Sequence, residues 1–266
     1  MLRGFYTAAS GMIAQQRQQE AMSNNIANVN TPGYRADRGV LKAFPEMLME
    51  RMQSKEIPVK RGLDVAANQR IGSMNTGVYV QEVLPDFSQG DLRETGVSTD
   101  LAIMQGNVPD ENGSVFFTVE KNGEQRFTRN GNFTVDEQGY LVTNQGYYVL
   151  DGNGGRIQTD GMDFTVSDEG VIDLEGRQVP LGLSYVENTN QLAKEGEDMF
   201  RGEGTPLPGN AQVAVRQGEL EGSNVDVMQE MTRMMDSYRV YETNQRVLKA
   251  YDESMGKAVS EIGRIG

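Results

Sequence analysis

The feature that most limits what this chain can become lies near its C-terminus. Val227, Met231, Met234, Tyr238, Tyr241, Gln245, Leu248, Asp252, Met255, Val259 and Ile262 follow one another in alternating steps of four and three. Such spacing predicts one long helix with a heptad seam, interrupted only by the polar Gln245 and Asp252. Ser223 or Asp226 can cap its start, Asp226 having Gln229 three residues on, and Gly263 marks its stop. A helix of roughly 37 residues reaches about 55 Å. A compact globule rarely gives one such rod to itself. The seam outruns any core the rest of the chain supplies, which favours a bundle between chains. Pairing of two helices within one chain is the alternative, and the two can succeed one another, before and after assembly. Methionine fits either reading: Met228, Met231, Met234, Met235 and Met255 decorate this helix, and methionine at helical spacing is ordinarily core.

The N-terminus offers the other helix. From Leu2 to Asn28 there is no proline, and Leu2, Phe5, Ala9, Met12 and Ile26 share a stripe with polar Gln16, Gln19 and Ser23. Those polar residues suit a packed bundle that hydrogen-bonds them better than a single-chain core. The helix is expected to stop in Asn28-Val29-Asn30-Thr31-Pro32-Gly33, since Pro32 cannot continue the ladder and asparagine tolerates left-handed backbone.

The middle reads differently. Phe117-Thr-Val-Glu-Lys-Asn-Gly123, Phe133-Thr-Val-Asp-Glu-Gln-Gly139 and Phe164-Thr-Val-Ser-Asp-Glu-Gly170 share the pattern F-T-V-x-x-x-G. Each sets alternating apolar residues before a polar turn closed by glycine, as a hairpin requires. The turn signals between them predict short antiparallel strands at Gln125–Thr128, Asn132–Val135, Tyr140–Thr143 and Tyr147–Leu150. Arg35–Arg70 is less regular, with a short helical run expected at Phe44–Met52, and Asn188–Asn210 is expected to be an extended return strand or loop.

Composition removes several chemistries. There is no Cys and no His, so thiolate metal sites, disulfides and the usual general base near neutral pH are excluded. Residues 1–62 carry nine Lys or Arg against five Asp or Glu, a net of +4. Residues 63–266 carry 16 against 33, a net of −17, giving the total of −13. An acidic body argues against nucleic acid, whose binding rests on basic patches. The carboxylates cluster at turn positions such as Asp136-Glu137 and Asp168-Glu169, where solvation explains them without catalysis. Asp151–Asp163 superficially follows a calcium loop, but Met162 stands where an EF-hand needs Glu. No cofactor is expected. Met1–Gln16 lacks the apolar core of a secretory leader, and no stretch approaches a membrane span.

Two end motifs bring in a known family. Ser10-Gly11-Met12-Ile13-Ala14-Gln15-Gln16 and Asn24-Asn25-Ile26-Ala27-Asn28-Val29-Asn30-Thr31-Pro32-Gly33-Tyr34 resemble the N-terminal signature of the flagellar axial proteins, specifically the rod and hook-basal-body proteins. Gly218-Glu219-Leu220-Glu221-Gly222-Ser223-Asn224-Val225-Asp226, Glu230-Met231 and Tyr238-Arg239-Val240-Tyr241-Glu242-Thr243-Asn244 are similar to its C-terminal signature. Internally, Gln89-Gly90-Asp91-Leu92, Asp100-Leu101-Ala102-Ile103, Phe116-Phe117 and Phe127-Thr128-Arg129-Asn130-Gly131 resemble the rod and hook core. The resemblance covers nearly the whole chain. It is greatest to the distal rod members or a paralogue of them, and it departs at Gln105–Val115, where the family has a short glycine-rich link.

The residues and the resemblance together give an α+β expectation. Long N- and C-terminal helices pair as a coiled-coil assembly domain (1–34 plus 223–266). A connector follows (35–96 plus 188–222), and a central antiparallel β-rich domain spans 97–187. The resemblance implies a structural, non-enzymatic subunit of the basal-body rod. Such a subunit self-assembles into a helical tube that transmits torque to the hook, beside other rod and hook subunits. It also implies delivery by the flagellar type III export machinery without a cleaved leader, and no nucleic-acid or small-molecule partner. The expected assembly anchors are Phe5, Met12, Ile26, Met231, Met234, Tyr238, Tyr241, Leu248 and Met255. A secreted adhesin or cell-wall-binding β-protein is the alternative, resting on the β-repeat alone.

Overall fold

The computed structural model describes residues 2–57, 63–110, 112–159, 161, 164–174, 176–196 and 198–263. They form two units, one of Met1–Met22, Gly39–Val83 and Thr232–Gly266, the other of Ser23–Arg38 and Leu84–Met231.

The first unit holds most of both helices. Helix α1 spans Leu2–Ala27 and α2 spans Val227–Ile262, close to the extents that periodicity predicts. The expected cap of α2 forms, with the Asp226 carboxylate accepting from the Gln229 N–H at 3.1 Å. Between the helices in sequence lie β1 (Asp37–Ala43), β2 (Met47–Ile57), β3 (Leu63–Met74) and β4 (Val78–Pro85). Strand β1 pairs with β4, and β2 pairs with β3.

The helical run expected at Phe44–Met52 is not there. Its residues enter β2, which pairs antiparallel with β3 from Met47↔Met74 to Ile57↔Leu63, with one irregularity between Met49 and Glu50. Leu, Met, Glu and Arg favour helix by only tenths of a kcal/mol each. A ladder running the length of both strands outweighs that preference.

The second unit is β-rich. It opens with β5 (Leu92–Glu94), β6 (Leu101–Gln105), β7 (Ser114–Lys121) and β8 (Glu124–Thr128). Next come β9 (Phe133–Val135), β10 (Leu141–Thr143), β11 (Tyr148–Val149), β12 (Thr165–Val166), β13 (Val171–Leu174) and β14 (Arg177–Pro180). It closes with β15 (Leu183–Val186), β16 (Ala193–Lys194), β17 (Met199–Arg201), β18 (Thr205–Pro206), β19 (Val213–Gln217) and β20 (Glu219–Glu221). Nine of these strands share one sheet, ordered β16-β17-β8-β7-β11-β10-β9, with β15 bridging β7 and β18. The segment Asn188–Asn210 therefore contributes β16 to β18 to this sheet.

Strand β7 is the sheet's spine. It pairs with β8 along one edge and with β15 and then β11 along the other. Alternation decides where its side chains go: Val115, Phe117 and Val119 enter the main core, while Phe116 enters a second cluster with Phe127, Val186, Leu192 and Phe200. Asn122 and Gly123 join β7 to β8, both with positive φ (55° and 82°), the geometry of a tight two-residue hairpin.

The three F-T-V-x-x-x-G repeats behave alike. Phe117, Phe133 and Phe164 share the main core, and their closing glycines, Gly123, Gly139 and Gly170, sit at φ 82°, 83° and 78°. The carboxylates of these segments serve structure: Asp136 accepts from the N–H groups of Gln138 and Tyr140, Glu120 pairs with Arg156 and Asp168 with Arg216. The departure at Gln105–Val115 closes on itself in the same manner. Gln105 binds Gly113, Ser114 and Val115 through its side chain, and Tyr185 hydrogen-bonds Asp110 at 2.8 Å.

Candidate assembly surfaces

In the first unit, α1 and α2 touch through small and polar residues. A Cβ placed on Gly4 would stand 2.1 Å from the Tyr251 hydroxyl, and one on Gly11 would stand 2.9 Å from Asn244 Nδ2. Ser237 donates to the Gln15 side-chain oxygen at 2.8 Å. Gly4, Gly11 and Gln15 rise along α1 as Tyr251, Asn244 and Ser237 descend along α2, so the two run antiparallel where they meet. Glycine at Gly4 and Gly11 is what admits those side chains.

These contacts sort the surface of α2 into rows. The covered or half-covered positions are Val227, Glu230, Met234, Ser237, Tyr241, Asn244, Leu248, Tyr251, Met255 and Ala258. They alternate steps of three and four, a heptad seam. It shares the row of Val227, Met234, Tyr241, Leu248 and Met255 with the seam read from sequence. Its second row lies one residue earlier, at Glu230, Ser237, Asn244, Tyr251 and Ala258. The row expected beside it faces solvent: Met231 is 48% exposed, Tyr238 55% and Val259 73%, with Met228 and Met235 also open.

The expected anchors therefore occupy three situations. Met231 and Tyr238 are exposed on α2. Met234, Tyr241, Leu248 and Met255 are half-buried there. Phe5, Met12 and Ile26 are half-buried on α1, whose covered row is Gly4, Ala8, Gly11, Gln15, Gln18, Met22 and Asn25. Sequence reasoning missed the exposed Tyr6 and Ile13. With Ala9, Arg3 and Phe44 they line an apolar groove of about 440 Å³ beside α1. Their helical spacing is a signal available in the sequence. The ribbon of β2 and β3 adds exposed Met47, Leu48 and Ile71.

In the second unit, the base of α1 is fixed by polar contacts. Buried Asn25 accepts from the Tyr34 hydroxyl and from the Asp37 N–H. Lys194 binds the Asp37 carboxylate at 3.0 Å and lies 4.3 Å from the centre of the Tyr34 ring. Burial, with the nearby charge of Asp37 and Asp198, pushes the Tyr34 phenol well above its ordinary value. Burial likewise raises the Asp198 carboxyl, against the opposing pull of Lys194 and Asn130. Among the described residues no group of acidic side chains is arranged to hold a metal ion, and no helix is long and apolar enough to cross a membrane.

The chain resembles known proteins along its whole length. Residues 5–35 match the family described as flagella basal body rod protein, and residues 216–261 match the flagellar basal body rod FlgEFG protein C-terminal family. Residues 112–174 match the flagellar hook protein FlgE/F/G D1 domain. The chain is 42% identical to the flagellar hook-basal body complex protein FlhO of Bacillus subtilis, with both chains covered in full. The chain belongs to the flagellar basal-body rod protein family. It is also 32% identical to the basal-body rod protein FlgF of Caulobacter vibrioides over 100% of both chains. To FlgG of Bacillus subtilis it is 31% identical over 98% of this chain and 99% of that one. A rod-family protein is a structural subunit of the basal body, and the two end matches cover most of α1 and most of α2.

Proposed function

We propose that this rod-family subunit polymerises with copies of itself into a helical tube that carries torque towards the hook, with other rod and hook subunits at its ends. The observation that carries this reading is the sorting of side chains on α2. Its small and polar row meets α1, while Met231, Met235, Tyr238 and Val259 remain open. A free helix face of this kind is stabilised only by another chain, and contacts that repeat without closing build a filament.

In this account α1 and α2 form an antiparallel coiled coil within the subunit, and the open rows meet neighbouring subunits. Met231 and Tyr238 on the open row, with the half-buried Phe5, Met12, Ile26, Met234, Tyr241, Leu248 and Met255 at its margins, are the anchors of those contacts. The β2–β3 ribbon, with apolar side chains exposed and no third strand beside it, wedges between neighbours and stiffens the tube. The protein is not an enzyme: its turn carboxylates hold backbone N–H groups, as Asp136 and Asp151 do, or pair with arginines, as Asp168 does, and neither His nor Cys is present. It reaches the basal body through the flagellar type III export machinery.

Tyr241→Asp, or removal of Asp252–Gly266, tests the proposal in a strain lacking the native gene. Each variant is expected to leave a soluble, folded β-rich unit that does not enter the rod. Wild-type incorporation and motility in either strain would refute the role given to these helices.

A further inference from the structure

Three charged side chains that the assembly surfaces do not use lie buried together in the second unit. Glu221, on β20, takes Arg35 Nη2 at 2.7 Å and the Gly90 N–H at 3.0 Å on one oxygen. Its other oxygen lies 3.0 Å from Arg129 Nε. The side chains of Arg35 and Glu221 are fully enclosed, and that of Arg129 is 1% exposed. Arg35 Nη1 also bonds Ser88 O at 3.0 Å, and Arg129 Nη1 bonds Val115 O at 2.6 Å, whereas the Nε groups of both arginines and the second Glu221 oxygen make no aligned hydrogen bond. Around them the backbone is closely packed. The Gly33 N–H donates to Glu221 O at 2.8 Å, and a Cβ on Gly90 would stand 2.2 Å from Gly222 O.

Two guanidiniums share one carboxylate here. Asp86 pairs with Arg38 at 2.7 Å and also feels the charge of Arg35. The imbalance registers on Arg129, whose pKa falls to about 10 through burial, with Arg35 adding to the fall and Glu221 opposing it. Without Glu221, Arg35 and Arg129 would face one another in a dry interior without the carboxylate they share, a costly arrangement.

We infer that Arg35, Glu221 and Arg129 form a clasp that docks the base of α1 onto the β-rich unit only once β20 is seated. Glu221 lies five residues before the cap of α2 at Asp226, so seating β20 also sets the start of α2. The bases of the two terminal helices thus become ordered in one step. A subunit whose C-terminal segment is not yet folded cannot present α1. This coupling does not depend on what the helices later assemble with.

The test is hydrogen exchange of the full-length protein, followed in peptides covering 28–38, 84–92 and, as reference, 141–149. Glu221→Gln is expected to raise the opening equilibrium of the first two roughly 10- to 100-fold and leave the reference unchanged. Arg129→Met, which leaves a balanced pair, is expected to raise it less, and adding Glu221→Gln to Arg129→Met to cost less than in the wild type. If Glu221→Gln does not fold, Glu221→Asp, which keeps the charge but withdraws it by one methylene, takes its place in each comparison. Wild-type exchange at 28–38 in the Glu221 variant would overturn the clasp. So would an Arg129→Met effect as large as that of the Glu221 variant, or a parallel rise in the reference peptide.

Discussion

Tyr238 and Ser237 are neighbours in sequence, one exposed and one buried on α2, and their substitution should separate assembly from subunit folding. Tyr238 is 55% exposed. A tyrosine side chain buries about 150–250 Å² when fully enclosed, so covering the open half at a subunit contact removes roughly 100 Å² from water. At about 25 cal/mol per Å² this contributes ~2–3 kcal/mol, or roughly 30- to 150-fold in the association constant. In the free subunit the same side chain holds little, and Tyr238→Ala should shift stability by no more than about 0.5 kcal/mol. Alanine's better helix propensity acts in the stabilising direction. Ser237→Leu should do the reverse. Its side chain meets Gln15 on α1, so a larger apolar group there disturbs the free subunit first. The assay pairs helix content through a urea titration with the fraction of each variant recovered in purified basal bodies, in competition with wild type. Equal loss of subunit stability in the two variants, or full incorporation of Tyr238→Ala, would refute the assignment of faces.

Gly33→Ala should destabilise the second unit by about 2–5 kcal/mol, read from urea unfolding. Gly33 sits at φ 68°, and its Cβ would stand 2.5 Å from the backbone of Arg129 and Asn130. Asp198→Asn should stabilise the protein near neutral pH. Burial raises the folded carboxyl above its unfolded value, so the charge costs stability as pH rises past about 4, and the cost is complete above the folded value. The thermal midpoints of variant and wild type should therefore converge in acid and separate at neutral pH; a gap that widened in acid would reverse the argument. Excising residues 48–73 and joining Met47 to Met74 through Asn-Gly exploits their direct pairing across the ribbon. It should leave α2 and the nine-stranded sheet folded but give basal bodies with bent or uneven rods, and straight rods of normal length would remove the ribbon from the account.

How far these features could be read in advance depended on how local their causes are. Both helices follow from long periodicity and from caps a few residues away. The strands at β8 to β11 and the left-handed glycines of the three repeats follow from turn chemistry within each hairpin. The ribbon did not declare itself, because Met47–Ile57 is rich in helix-forming residues and its partner strand supplies the reason it is extended. The seam covered within the subunit takes its second row one residue before the apolar row, for a related cause. Pattern reading sends apolar side chains inward, whereas α1 offers Gly4, Gly11 and Gln15 and so takes Tyr251, Asn244 and Ser237. The clasp was beyond reach altogether. Arg35, Arg129 and Glu221 stood inside or beside quoted motifs, but nothing in a single chain of letters says that residues so far apart share one buried charge site.

The most direct test of the central claim is immunogold electron microscopy of purified hook-basal bodies, with antibody against the β-rich unit. Label on the rod, just below the hook, is the predicted result. Basal bodies that carry no label at rod or hook, from cells that make the protein, would contradict its role as a rod subunit.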